Sequence, residues 1–192
     1  MTPFPRRQRA GAPAAILMVA ALSGCGTVSS LNPFSSSSAP ATPAAACPQA
    51  VILRPLANTA VFTPSAQTHR PLDVAFYGIL SDVDAKCDFA GGTMRATLDV
   101  VVAAERGPAS GHADGVDLNY FVAVTGPDQS ILSKKTFSVH LAVPQGARRA
   151  AVTDHIEETI NTGGRSSGDL TIDLGFQQPP EVVEFYRNFR GR

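Results

Sequence analysis

The chain has 192 residues, 44% of them hydrophobic, with 16 basic and 16 acidic side chains. That length suits one domain with a buried core once a leader and a linker are set aside. Balanced charge, with only isolated pairs such as Lys134-Lys135 and Arg148-Arg149, argues against nucleic acid as a partner, and the absence of Trp argues against a large carbohydrate-stacking surface.

Residues 1–24 open with Arg6, Arg7 and Arg9, followed by an apolar run over residues 14–22. A positive start followed by a short apolar run reads as a signal peptide, too short for a membrane span. It ends in Leu22-Ser23-Gly24-Cys25, which resembles the lipobox of bacterial lipoproteins. The resemblance implies that the Cys25 thiol receives a diacylglyceryl group and that a peptidase cuts just before it. An ordinary secretory signal with a cysteine beside its cleavage site is the alternative. Gly26 follows, where an Asp in enteric lipoproteins directs retention in the inner membrane. By that rule the expected location is the periplasmic face of the outer membrane. Removal of the leader takes its three arginines from the 16 basic residues, leaving 13 against 16 acidic ones, a net charge of −3.

Residues 25–46 hold the lipidated cysteine and a Ser/Ala/Pro-rich stretch without periodicity. Such a composition cannot bury enough apolar surface to fold and reads as a disordered tether. About 21 residues of flexible chain span roughly 25 Å on average. Residues 47–192 then form the folded domain.

The first strand is expected at residues 51–53, ended by Pro55, with Val61 and Phe62 continuing it after a break. Residues 73–83 read as a strand with Val74, Phe76 and Leu80 on one face. Residues 93–104 alternate most clearly, with Met94, Ala96, Leu98, Val100 and Val102 on one face and Arg95, Thr97 and Asp99 on the other. Further strands are expected at residues 116–125, 131–143 and 169–176, while residues 152–160 fit strand or helix. Pro179-Pro180 opens a short C-terminal helix with Val182, Val183, Phe185, Tyr186 and Phe189 as its apolar face. Seven or eight short strands with Gly/Pro turns predict an all-β fold, an antiparallel immunoglobulin- or fibronectin-like β-sandwich with a short C-terminal helix.

If Cys25 is acylated, Cys47 and Cys87 remain, and an even pair in an oxidising compartment is expected to be bridged. The spacing is not that of a redox C-x-x-C pair. His69, His112, His140 and His155 are scattered, so no metal site is expected.

Five features invite a chemical reading, and each has a plainer one. Gly164-Arg165-Ser166-Ser167-Gly168 matches the nucleophile elbow of hydrolases, but no histidine follows Ser166, so a flexible loop fits better. Asp82, Asp84 and Asp88 could offer oxygen ligands to a cation. They lack a calcium-loop pattern and read as an acidic turn at a strand end. Glu105-Arg106-Gly107-Pro108 could be a recognition loop. The plainer reading is a strand stop, with Arg106 paired to a carboxylate. His112 sits in a Gly-rich loop and reads as solvated. Tyr120 and Phe121 place aromatics on both faces of one strand, one in the core, the other under the C-terminal helix or exposed.

Cys47-Pro48, Cys87, Glu105-Arg106-Gly107-Pro108-Ala109, Tyr120-Phe121-Val122-Ala123-Val124 and Gly175-Phe176-Gln177 together resemble a group of alphaproteobacterial envelope lipoproteins. The resemblance covers most of residues 47–186. It implies an envelope location and a β-rich fold, and brings no activity with it. The expected function is a lipid-anchored, non-enzymatic interaction or assembly module with no cofactor, held to the membrane through Cys25 and serving an envelope protein partner. An envelope hydrolase using a loop serine, or a carrier of a small apolar ligand between the sheets, are the alternatives.

Overall fold

The computed structural model describes residues 46–189. Eight strands and one helix follow in chain order: β1 (Gln49–Ile52), β2 (Asn58–Phe62), β3 (Val74–Ala90), β4 (Thr93–Arg106), β5 (Gly115–Thr125), β6 (Ile131–Ala142), β7 (Arg149–Asn161), β8 (Thr171–Phe176) and α1 (Pro180–Asn188). They form two four-stranded sheets, in the orders β1-β8-β5-β6 and β2-β3-β4-β7. The consecutive strands β4 and β5 lie in opposite sheets, and so do β7 and β8. Yet β4 pairs with β7, and β5 with β8. This interlock ties the layers into the expected β-sandwich.

The sandwich departs from the reading of the sequence in three places. First, β1 and β2 are not one interrupted strand. A 3-10 turn at Arg54–Leu56, with Pro55 in it, carries the chain from one sheet to the other. Second, β1 pairs with β8 in parallel, so the sandwich is not wholly antiparallel. Third, β3 runs to Ala90 rather than ending near Val83. The reason is a bulge between Leu80 and Asp82. Phe76 and Leu80 face the core before it. After it the inward set is Val83, Ala85, Cys87 and Phe89. One extra residue flips the phase of alternation, so a straight reading loses the strand there.

The core lies between the sheets. Met94, Ala96, Leu98, Val100, Val102 and Ala104 of β4 are all buried, opposite Leu118, Tyr120 and Val122 of β5 and Ile172, Leu174 and Phe176 of β8. Each large side chain of this set contributes about 1.5–3 kcal/mol by leaving water. β7, which fitted strand or helix by sequence, is a strand paired with β4 from Thr93↔Asn161 to Glu105↔Arg149. Its inward row carries Asp154 and Glu158 beside Ile156 and Ile160. Those two carboxylates made its composition ambiguous.

The helix α1 packs on the outer face of the second sheet at its β2 edge. Val182 and Phe185 are buried, and Phe185 joins Ala60 and Val74 in a second small cluster. The rings of Phe185 and Phe62 meet edge to face at 5.4 Å. Phe189, expected on the apolar face, is 45% exposed because the helix ends before it. Deleting the chain from Pro179 onward uncovers Phe62, Val74 and Tyr77. Two buried side chains at about 1.5–3 kcal/mol each, set against the entropy of ordering the helix, leave a net loss of roughly 1–3 kcal/mol. The truncated protein is therefore expected to melt several degrees lower and to self-associate through the uncovered patch. An unchanged melting temperature together with a monomeric mass would show that α1 contributes nothing to the fold.

Candidate functional site

The residues singled out in the sequence do not converge. Cys25 and the tether lie outside the described residues. Cys47 and Cys87 are bridged, with Cα atoms 5.0 Å apart. Cys47 lies two residues before β1 and Cys87 lies within β3, so the bond ties the approach to the first sheet to a strand of the second. Ser166 donates to Asp169 Oδ2 at 2.7 Å, and no histidine is among its hydrogen-bond partners. That side-chain bond spans the 3-10 turn Ser167–Asp169 and fits the loop reading. Asp82, Asp84 and Asp88 are not at a strand end. They stand on the exposed outer face of β3, spread along the strand by the two-residue repeat. Among the described residues no group of three or more His, Cys, Asp or Glu side chains could hold a metal ion. His112 is exposed in its turn.

Arg106 has a different role from either reading of its loop. Its Nε donates to the Ala147 carbonyl at 3.1 Å, and a terminal nitrogen donates to the carbonyls of Ala113 at 2.6 Å and Val143 at 2.5 Å. The guanidinium also lies over the Phe76 ring, 5.6 Å from its centre. It pairs with backbone, not with a carboxylate. Glu105 instead faces Arg148 and Arg149, at 3.9 and 3.8 Å. One side chain thus clasps the loops after β4 and β6 to the end of the sandwich. Gly107 is required at the same place, because a Cβ there would sit 2.2 Å from the Val74 carbonyl oxygen.

Tyr120 is fully buried and donates its hydroxyl to Asp154 Oδ2 at 2.7 Å. Burial, with the neighbouring carboxylate adding to it, holds this phenol well above its usual ionisation range. Phe121 does not lie under α1. It points to the opposite face, where Lys134 lies 4.4 Å above its ring and the Leu56 side chain packs over Gly175 beside it. Lys135 of β6 contacts Glu158 of β7 at the open side of the sandwich. Inward-pointing charges of this kind were not anticipated from the strand pattern. The cavity between the sheets next to that pair, lined by residues such as Leu98, Val122 and Ile172, holds only about 10 Å³. That is room for at most one water molecule.

A cleft of about 380 Å³ opens at the other side of the sandwich. One wall is the edge of β2 and the turn that follows it. The other is the N-terminal half of β5, with Gln177 and the first turn of α1 closing one end. β8 pairs with β5 only from Tyr120 to Thr125, and the chain then turns away toward α1. Residues 115–119 of β5 therefore have β6 on one side and, among the described residues, no strand on the other. Gly78 makes the close approach of the sheets at this place possible. A Cβ there would meet Thr59 at 2.7 Å and Leu118 at 2.9 Å. Polar groups dominate the rim: Thr63, His69, Asp117, Asn119, Gln177 and Glu181. His69 stacks on Phe62 with ring centres 4.6 Å apart, and Asp117 Oδ1 contacts His140 Nδ1 at 2.8 Å. This cleft was not legible in the sequence, since its lining comes from three separated segments. Compared with protein families, curated proteins and solved structures, the chain matches none.

Proposed function

We propose that the protein is a lipid-anchored module of the cell envelope that binds a protein partner rather than transforming a substrate. The observation that carries this reading is the cleft with its uncovered β5 edge, a surface suited to recognition by backbone pairing. The lipobox supports an anchor at Cys25, and Gly26 after it favours the periplasmic face of the outer membrane. The stretch to residue 46 gives the domain reach, and no cofactor is called on. Acyl chains on Cys25 hold the protein firmly, because each buried CH₂ contributes about 0.8 kcal/mol and two chains suffice for stable anchoring. The closed space beside Lys135 and Glu158 supports binding at the surface over carriage of an apolar ligand between the sheets. Among the described residues no helix is long and apolar enough to cross a membrane.

The anchor is tested by Cys25→Ser. The substitution removes the acylation nucleophile, and the protein is expected to leave the membrane fraction. Mass spectrometry of the native N terminus should show an acylated Cys25 as the first residue. An unmodified cysteine there would end the lipoprotein reading. The binding role is tested by cross-linking the anchored protein in its own membrane, where one defined envelope partner is the expected product.

A further inference from the structure

We propose that the uncovered edge of β5 is a docking strand. An extended segment of a partner protein, bearing lysine or arginine, adds beside residues 115–119 and closes the cleft as one more strand of that sheet. This rests on the interaction-module reading above and narrows it to one surface and one partner chemistry.

Three observations carry it. The first is backbone direction. The Gln177 amide donates to the Asn119 carbonyl at 2.9 Å, so Asn119 turns its backbone groups toward the β8 side. By strand alternation, Asp117 and Gly115 turn theirs the same way. Beyond Gln177 no described strand receives them. Paired backbone groups are the rule in folded proteins, and an extended peptide is the partner that satisfies such a row.

The second is that the other sheet edges are blunted and this one is not. β1 is only 4 residues long. β2 carries a bulge at Val61 and Phe62 and has α1 against it. β6 and β7 turn Lys135, Asp154 and Glu158 inward. Short strands, bulges, covering elements and inward charges are the devices that keep sheet edges from pairing. Residues 115–119 contain no proline, no bulge and no inward charge.

The third is charge. Asp117 and Glu181 line the cleft, and among the described residues His69 is its one basic side chain and no lysine or arginine lines it. A basic segment is complementary to that lining and an acidic one is repelled.

The test uses the full-length, lipidated protein in its own membrane. A photo-activated cross-linking residue replaces Thr63 at the cleft rim, and in a separate protein Thr153 on the outer face of β7. The Thr63 probe is expected to capture one partner, with the cross-linked residues inside a single extended segment containing Lys or Arg. Asp117→Lys should lower that yield at least tenfold. Its side chain is 73% exposed, so the change does not disturb the core. The captured segment, synthesised as a peptide, should bind the purified protein, and N-methylation of alternate residues should weaken it at least tenfold. Unchanged binding after N-methylation overturns the proposal. So does a cross-link into a helix, an acidic segment, a second copy, or residues 26–45 of the same chain. Capture from Thr153 but not Thr63 overturns the docking strand and leaves the module reading standing. Capture from neither removes both.

Discussion

Replacing Cys47 and Cys87 together by serine lowers the stability of the folded protein by about 4 kcal/mol. The bridge spans 40 residues of sequence, and the chain-entropy treatment of a loop of that size gives this value. Part of the effect is local. β1 has only 4 residues, one strand neighbour and a parallel ladder, so it holds few contacts of its own. The disulfide joins its start to β3 across the sandwich, while Ala50 and Ile52 pack into the core behind it. Without the bond, β1 frays first and exposes the β8 edge. A loss of about 4 kcal/mol in a domain of this size lowers the melting temperature by roughly 10–15 °C. Urea unfolding of the oxidised and the reduced protein measures it directly. Coincident midpoints would show that the bond contributes nothing to stability. On the anchored reading, any pull from the membrane reaches the domain at Cys47. The bridge passes that load into the long β3–β4 hairpin and spares the short β1 ladder.

Arg106→Ala is expected to cost about 2–4 kcal/mol. Three carbonyls, from Ala113, Val143 and Ala147, lose a charged donor at once, and hydrogen bonds to charged groups contribute about 1.5–3 kcal/mol each when protected from water. Part of the guanidinium is exposed, which places the expectation toward the lower end. Arg106→Lys restores less than half, because an ammonium cannot present the same planar fork to carbonyls on two loops. Thermal unfolding of the two variants against the parent gives the ranking. Hydrogen exchange should show the loss confined at first to the turns after β4 and β6. Two variants within 0.5 kcal/mol of the parent, the range of ordinary surface changes, would mean that the clasp is idle.

These two expectations differ in origin. The cysteine pair could be matched without a structure, since on the reading of an acylated Cys25 only Cys47 and Cys87 remain to pair. Arg106 stood out only as part of a strand-ending Glu-Arg-Gly-Pro run. Nothing in that run shows that carbonyls nearly 40 residues downstream would come within reach. Likewise the loop reading of Ser166 came from the missing histidine alone, while its bond to Asp169 is a contact within the turn.

The sequence by itself determined the class of the fold. One-sided burial imposes a two-residue repeat, and the repeat in residues 93–104, 116–125 and 131–143 is a local property that needs no knowledge of partners. It likewise supplied the C-terminal helix, through Pro180 and the spacing of Val182 and Phe185. What only the tertiary structure decided depends on pairing between distant segments. The bulge in β3 shifts the inward row by one residue and carries the strand seven residues past Val83. The parallel β1–β8 ladder joins chain ends that no local pattern relates. Asp154 and Glu158 are tolerated on an inward row because Tyr120 and Lys135 arrive from the opposite sheet to meet them. The uncovered half of β5 exists because β8 stops at Phe176 while β5 begins five residues before their first paired position. Strand alternation reports which face is buried. It does not report which neighbour is present, and on an edge the neighbour is what decides the chemistry.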